Sequence, residues 1–284
     1  MVFLWDKIES EQVRFPKGFF NSILGRPIIL LLLFSLTVLN WYFDTWAWRS
    51  ISLAKEKLEF KQAIKDNLIS QYLGLLTPFG LGEYRMKMRS FEGKERNQSV
   101  VQTLSYRWAK SISKFGIGLV AFSFYGWSKQ GHLVIIILVW VAYILMFRYY
   151  KRVLAFGVKL INPSNSYEID LDLIDIKKAL LPGALKFVCY ILQLSVLIHL
   201  FQDQLSFGET TLYSTLIYAA SSLIPQSSFL DPFIKATLAN YLFLDVIDQS
   251  EHLASLFVGW MINSGIPAIF GAGLWFSPKK KKKK

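Results

Sequence analysis

Long apolar segments constrain the fold of this chain more than any other feature. Several of them approach the roughly 20 helical residues that cross a bilayer core of about 30 Å. They run continuously, without the alternation of β-strands, so helices are expected. With 53% hydrophobic residues, the sequence predicts an all-α integral membrane protein, a polytopic helical bundle. The six segments are residues 27–43, 115–128, 133–147, 179–201, 210–230 and 253–278.

The basic charge balance favours an anionic membrane surface over nucleic acid as the partner. The net charge is +12, and six of the positive charges are the lysines of residues 279–284. Most of the others fall in short loops between apolar runs, as expected of cytoplasmic loops. We therefore predict a multi-pass protein of the cell (inner) membrane with a cytoplasmic C-terminus, membrane lipids as partners and no nucleic acid.

One transmembrane domain is expected to make up most of the chain. The only cysteine, Cys189, lies inside an apolar run, so neither a disulfide framework nor a cysteine-based metal site is available. We expect no cofactor and no metal. The predicted divisions are an interfacial lead (1–26), the transmembrane domain (27–276) with two loosely related halves (27–160 and 161–276), and a polylysine tail (277–284).

The sequence TPFGLGEYR, residues 77–85, interrupts an apolar run with a proline, two glycines and a charged pair. Residues 52–65 before it are amphipathic and are expected to lie along the membrane surface. Two topologies follow. If residues 66–82 cross fully, the bundle has about eight membrane helices and the N-terminus lies inside; if they re-enter, it lies outside. The structural residues of this break are Pro78, Gly80 and Gly82.

A second break, SLIPQSSFLDPFIK at residues 222–235, has the same order of features. An apolar half-segment is followed by a proline, a polar kink, an acid and a base. Corresponding proline-interrupted segments in two halves of a membrane protein point to a transporter-type binding site. We therefore predict about 6–8 membrane helices with two broken segments, and whether residues 226–245 span or re-enter stays open. The key residues here are Pro225, Asp231, Pro232 and Lys235.

Cations at 107, 110 and 114 lie on one face of a helix expected to begin near Ser99. They either snorkel from a solvated stem or face a lipid phosphate, for which guanidinium is well suited. Glu83 would orient Arg85 or bind an exchanging proton; alternatively, this pair lies at headgroup level and only ends a short helix. The predicted lipid-phosphate site is Glu83, Arg85, Arg107, Lys110 and Lys235.

Other charges near apolar runs are interpreted as interfacial. Asp44 follows the aromatic end of the first run and is expected at the headgroup region, while Lys186 is expected to snorkel. Asp44 and Asp231 are isolated in the sequence.

The order Trp48-Arg49, Pro78, Gly80, Gly82-Glu83, Arg85 and then Arg107 resembles the transmembrane region of the lysylphosphatidylglycerol synthase family, whose members are flippase-like membrane proteins. The resemblance covers about residues 27–276. It implies movement of a lipid across the membrane. The namesake enzymes carry a separate soluble domain for aminoacyl transfer, and nothing in this sequence corresponds to it, so synthesis is not implied.

The chain departs from the family pattern at several positions. Arg85 follows Glu83 one residue sooner than usual, and Tyr106 and Lys110 stand where the family tends to have acids around Arg107. Lys235 stands about where a glutamate is common. If those acids handle a cationic headgroup, this chain should not share that substrate. The resemblance implies lipid movement, and the predicted lipid-phosphate site leads us to expect an anionic lipid or a lipid-linked (di)phosphate, bound at the two broken helices.

Two other function classes stay open. A membrane-embedded enzyme acting on a lipid-linked phosphate would need a general base and usually a metal. His199 with Asp203, and Asp170 with Asp172, match short patterns, but the predicted topology places these pairs on opposite membrane faces. A non-catalytic scaffold in envelope assembly is compatible with the sequence without being specifically predicted. We favour a protein that is not an enzyme, of unknown oligomeric state.

Overall fold

The computed structural model is helical, without strands, throughout the residues it describes, which confirms the all-α prediction. Those residues are 19–52, 58–77, 80–88, 94–128, 133–161, 175–201, 205–222, 224, 228–243 and 249–277. The helices are α1 (Phe19–Leu24), α2 (Pro27–Ile51), α3 (Phe60–Leu76), α4 (Leu81–Met88), α5 (Lys94–Ser128), α6 (Leu133–Arg148), α7 (Tyr150–Ile161), α8 (Lys177–His199), α9 (Phe207–Ser221), α10 (Asp231–Phe243), α11 (Gln249–Trp260) and α12 (Ile266–Phe276), with a π-helical turn at Met261–Gly265.

Three helical stretches in the described part of the chain are long and apolar enough to cross a membrane. They are Pro27–Ile51, Lys177–His199 and His252–Phe276, with mean hydropathies of 1.7, 1.8 and 1.6. A fourth is possible if Leu133–Arg148 and Tyr150–Phe156, which meet at 65°, form one span. The structure therefore supports three or four spans by length and composition, and the prediction of 6–8 membrane helices remains a prediction.

Both predicted breaks fall between helices, although the helix bounds differ from expectation. The apolar run that begins at residue 66 is the second half of α3, which already starts at Phe60 inside the segment expected to lie on the surface. The apolar run 210–230 does not form one helix, because α9 ends at Ser221 and α10 begins at Asp231. Pro78 and Pro225 lie outside the described residues.

Glycines allow close contact where helices cross. A Cβ atom at Gly271 on α12 would overlap the backbone carbonyl of Leu68 on α3, and one at Gly82 on α4 would overlap that of Leu73. Small residues at such crossings let backbones approach, which is how helices associate tightly in membranes. Gly271 therefore fixes α12 against α3, and Gly82 folds α4 back onto the end of α3.

A buried polar chain ties the last spanning stretch to the first. In the π-helical turn, the Asn263 amide donates to Gln193 Oε1 at 2.9 Å. Gln193 Nε2 donates in turn to Thr37 Oγ1 at 2.7 Å and to the Leu33 carbonyl at 3.0 Å. π-Helical turns within α-helices are frequent at functional sites. Here the turn directs Asn263 toward α8 and places Ser264 beside the cavity described next.

Candidate functional site

Asp44 is the centre of the first of two charge clusters. It lies in the C-terminal half of α2 and is only 5% exposed. Its Oδ1 atom accepts from Lys186 Nζ on α8 at 2.7 Å and from Lys110 Nζ on α5 at 3.2 Å, and the Tyr106 hydroxyl also donates to it. Three donors from two helices therefore converge on one carboxylate oxygen.

Glu83 is the centre of the second cluster. Lys87, one turn later on α4, donates to Glu83 Oε1 at 2.7 Å, and Arg107 Nε on α5 lies 3.4 Å from Glu83 Oε2. The Arg107 guanidinium also donates to the Tyr84 hydroxyl at 3.2 Å. Glu83 thus joins the short helix after the first break to the cationic face of α5.

Aromatic rings contact the ammonium groups of Lys87 and Lys110. Lys87 is 1% exposed, and its Nζ atom lies 4.3 Å from the Trp48 ring centre and 3.6 Å from that of Tyr106. Lys110 Nζ lies 3.8 Å from the same Tyr106 ring. Cation–π contacts of this kind are strongest where the cation is removed from water. Tyr106 therefore links the two clusters, because it contacts a cation of each.

Gly80 makes room for Arg107 at the first break. Its φ of +69° lies in the left-handed region that favours glycine. A Cβ atom at this position would lie 2.8 Å from Arg107 Nη2. The Gly82 N–H donates to the Thr77 hydroxyl at 2.7 Å, which satisfies a backbone donor at the start of α4. The break is therefore shaped to admit the guanidinium group.

A polar cavity of about 120 Å³ lies between the two clusters. One water molecule takes roughly 30 Å³ of the liquid, so the cavity has room for several waters or one phosphate-sized group. The charged residues of its lining are three cations and two carboxylates: Arg107, Lys110, Lys186, Asp44 and Glu83. The remaining lining residues are Asn67, Ser70, Gln71, Gly74, Leu75, Gly80, Ser228 and Ser264.

The structure brings together three of the five predicted site residues. Glu83, Arg107 and Lys110 line the cavity. Arg85 is exposed, and Glu83 pairs with Lys87 and Arg107 rather than with it, so the expected Glu83–Arg85 pairing does not form.

Lys235 belongs to a separate cluster at the second break. It is 1% exposed and contacts Asp231 Oδ2 at 2.5 Å. Its ammonium donates to the Tyr190 hydroxyl at 3.3 Å and lies 3.7 Å from the Tyr218 ring centre. Lys114, the last cation of the α5 face, lies 4.6 Å from the same ring. Asp231 and Pro232 begin α10, where an acid favours the helix dipole and a proline is tolerated.

Sequence reasoning missed Asp44, Lys186, Lys87 and Tyr106. Asp44 and Lys186 are not isolated charges, because each is the other's ion-pair partner. Their expected depth at the headgroup region remains a prediction. A signal was present: both charges fall within helices long enough to span, where ionisable residues are costly and are functional candidates by default. Tyr106 carried no such signal, because a tyrosine in an apolar helix is ordinary.

The short patterns that suggested an enzyme lie mostly outside the described residues. Among the described residues, no group of three or more His, Cys, Asp or Glu residues is placed to hold a metal ion. A ring nitrogen of His199 lies 3.1 Å from the Leu205 carbonyl oxygen, a backbone contact at a helix end. Asp170, Asp172 and Asp203 lie outside the described residues. The cavity lining holds three cations and two carboxylates.

Comparison with known proteins does not assign this chain to a family. The resemblance to the lysylphosphatidylglycerol synthase transmembrane region therefore remains a hypothesis. No protein-family model, curated protein or solved structure matches the chain.

Proposed function

We propose that this chain is an integral membrane protein that binds the phosphate of an anionic lipid, or of a lipid-linked (di)phosphate, in the cavity between the two charge clusters. Its function is to move that lipid across the bilayer in the manner of a flippase. The supporting observation is the cavity lining, in which Arg107, Lys110 and Lys186 outnumber Asp44 and Glu83. These three cations are half-buried, so an anion in the cavity would interact with them more strongly than in bulk water.

The proposed topology is a multi-pass bundle of the cell (inner) membrane with 6–8 crossings and a cytoplasmic C-terminus. The two breaks, before α4 and before α10, would let a headgroup reach mid-depth. Non-helical backbone is tolerated within a membrane where it is buried in protein or lines a cavity. Gly80 from the first break and Ser228 from the second both line the cavity, so a headgroup there would contact both segments.

Replacing Arg107 by alanine should reduce retention of anionic lipid by about tenfold or more. A hydrogen bond to a charged group contributes about 1.5–3 kcal/mol, and about 1.4 kcal/mol corresponds to a factor of ten in affinity. Native mass spectrometry of gently extracted full-length protein measures the retained lipid directly. Lys178→Met is the control, because Lys178 is exposed at the start of α8 and lies away from the cavity.

Transport itself is tested in sealed vesicles. Wild-type protein should move a labelled anionic lipid between leaflets, and Arg107→Ala should move it more slowly. Full translocation by Arg107→Ala, with unchanged lipid retention, would contradict the proposed site. Turnover of the lipid by detergent-solubilised protein would favour an enzyme, while capture of a protein partner without lipid binding would favour a scaffold.

A further inference from the structure

The two halves of the helical bundle have the same order of elements. Helices α2, α3, α4 and α5 correspond to α8, α9, α10 and the stretch from α11 through the π-helical turn to α12. The corresponding helices α2 and α8 pack antiparallel. The Asn40 amide of α2 donates to the Lys186 carbonyl of α8 at 3.1 Å. Leu33, earlier in α2, accepts from Gln193, later in α8, at 3.0 Å. Equivalent helices of opposite direction are expected of an inverted repeat, whose two-fold axis lies in the membrane plane.

The short helix after each break carries the same kind of ion pair. Glu83 accepts from Lys87 at 2.7 Å on α4, and Asp231 contacts Lys235 at 2.5 Å on α10, both with i,i+4 spacing. Each lysine is 1% exposed. Each ammonium also lies near an aromatic ring on the first helix of its own half, at 4.3 Å from a ring centre on α2 and 4.8 Å from one on α8. The two breaks are therefore alike in structure as well as in sequence.

Each break also contacts the long helix that follows it. At the first break, Arg107 of α5 lies against Gly80, where a Cβ atom would be 2.8 Å from the guanidinium group. At the second break, Trp260 of α11 donates to the Ser228 carbonyl at 2.7 Å. Gly80 and Ser228 both line the cavity. The two breaks therefore meet at the cavity, where a two-fold axis between the halves would pass.

The buried polar chain at Gln193 is the counterpart of the Asp44 cluster. Gln193 of α8 donates to Thr37 of α2 at 2.7 Å and accepts from Asn263 of the π-helical turn at 2.9 Å. Asp44 of α2 accepts from one lysine of α8 at 2.7 Å and from one lysine of α5 at 3.2 Å. Equivalent elements therefore supply the equivalent members of the two sets.

A nearly constant offset along the sequence relates the residues of these contacts. Gly118 of α5 and Gly271 of α12 have nearly the same offset, and a Cβ atom at each would overlap the second helix of the other half. Contacts that recur at one offset in separate places are expected of a repeated fold. In the two polar sets, the equivalent residues are Thr37 and Lys186, Asp44 and Gln193, and Lys110 and Asn263.

The two polar sets differ in charge and in access to the cavity. Asp44, Lys110 and Lys186 all line the cavity, and the two lysine side chains are 24% exposed. Gln193 is 1% exposed and is not among the described residues of the lining. The second half thus holds the same helix crossing with neutral hydrogen bonds. Charges are therefore not required to hold such a crossing, and ionisable residues within spanning helices are functional candidates.

We infer that α2–α5 and α8–α12 form an inverted repeat with the cavity at their interface, and that Asp44, Lys110 and Lys186 are the ligand-binding form of a contact that the second repeat makes with neutral side chains. Inverted-repeat transporters place their substrate at the interface of the repeats, beside broken helices. The repeat is independent of the proposed function. The ligand-binding role of the three charges rests on that function, because the ligand is the lipid phosphate proposed above.

Labelling from the two sides of the membrane tests the repeat. Lys61 and Gly208 are exposed at the starts of α3 and α9, the second helices of the two halves. In full-length protein carrying Cys189→Ala, we expect Lys61→Cys and Gly208→Cys to react with a membrane-impermeant maleimide from opposite faces of sealed vesicles, because α2 and α8 are antiparallel. Reaction of both from the same face would overturn the inverted repeat.

Exchanging the charged set for the neutral one tests its role. The variant combines Asp44→Gln, Lys110→Asn and Lys186→Thr, which are the residues of the second half at the equivalent positions. It should melt at a higher temperature than Asp44→Ala, because only the latter leaves two lysines without their partner. Its retention of dioleoyl phosphatidylglycerol, read by native mass spectrometry, should fall by at least about tenfold. Lys178→Met is the control, because it makes the same change in net charge at an exposed position outside the cavity lining.

The outcomes separate the inference from the proposed function. A triple variant that melts at or below the temperature of Asp44→Ala would overturn the equivalence of the two sets. A folded triple variant that retains the lipid as the wild type does would overturn the ligand-binding role. If the wild type itself retains no anionic lipid, the proposed function fails together with that role, and the labelling result still decides the repeat.

Discussion

Replacing Asp44 by alanine is expected to lower the free energy of unfolding by about 3–5 kcal/mol, the cost of leaving buried charges without their partner. The variant would leave Lys110 and Lys186 facing each other without the carboxylate between them, and would leave the Tyr106 hydroxyl without its acceptor. Thermal unfolding in detergent, followed by circular dichroism, measures the effect as a lower Tm.

Glu59→Ala is the matched control for the Asp44 variant. Glu59 is an exposed acid that precedes α3 and makes no side-chain cap hydrogen bond there. Its removal should change the free energy of unfolding by no more than about 0.5 kcal/mol. Asp44→Asn keeps the side-chain shape and an acceptor for Tyr106. Its Tm should therefore lie between those of the wild type and Asp44→Ala. An Asp44→Ala protein that melts at the wild-type temperature would show that the cluster does not stabilise the fold.

Replacing Gly271 by alanine is the second change expected to have a large effect. The added methyl group would overlap the Leu68 backbone carbonyl, which cannot move as a side chain can. Helix α12 would have to shift away from α3, at a cost of about 1–3 kcal/mol for overpacking. Because α3 carries Ser70 of the cavity wall, lipid retention should fall together with the Tm.

The same helix provides the control for this substitution. A Cβ atom at Gly273 would have no neighbour within 4 Å. Gly273→Ala therefore adds the same methyl group two residues away, without the clash, and should be neutral or stabilising by up to about 1 kcal/mol through helix propensity. Equal Tm values for the two variants would show that the α12–α3 contact is more adaptable than its geometry indicates.

The sequence predicted the helical class, the two breaks and three of the residues that meet at the cavity. These features are local: an apolar run, a proline or glycine, and a spacing of three or four residues can be read along the chain. The partner of each cation could not be predicted in this way. Arg107 meets Glu83, but Lys110 meets Asp44, 66 residues earlier, and only the packing of α2 against α5 brings these two together.

The same packing bears on the departures from the family pattern. Tyr106 and Lys110 stand where the family tends to have acids, and both contact Asp44 from α2. The negative charge near Arg107 is therefore supplied from another helix rather than from neighbours in the sequence. A carboxylate already engaged by two lysines is a poor site for a cationic headgroup. That this chain handles an anion remains a prediction.

The π-helical turn at Met261–Gly265 sets how α12 is rotated about its axis relative to α11. Such a turn holds one residue more than a turn of α-helix, and each residue of an α-helix advances the chain by about 100°. Deleting one residue from the turn would therefore rotate α12 by about 100° relative to α11. Gly271 would then no longer face Leu68, and the Asn263 link to Gln193 would be lost. One extra residue thus aligns the last helix with the wall of the cavity.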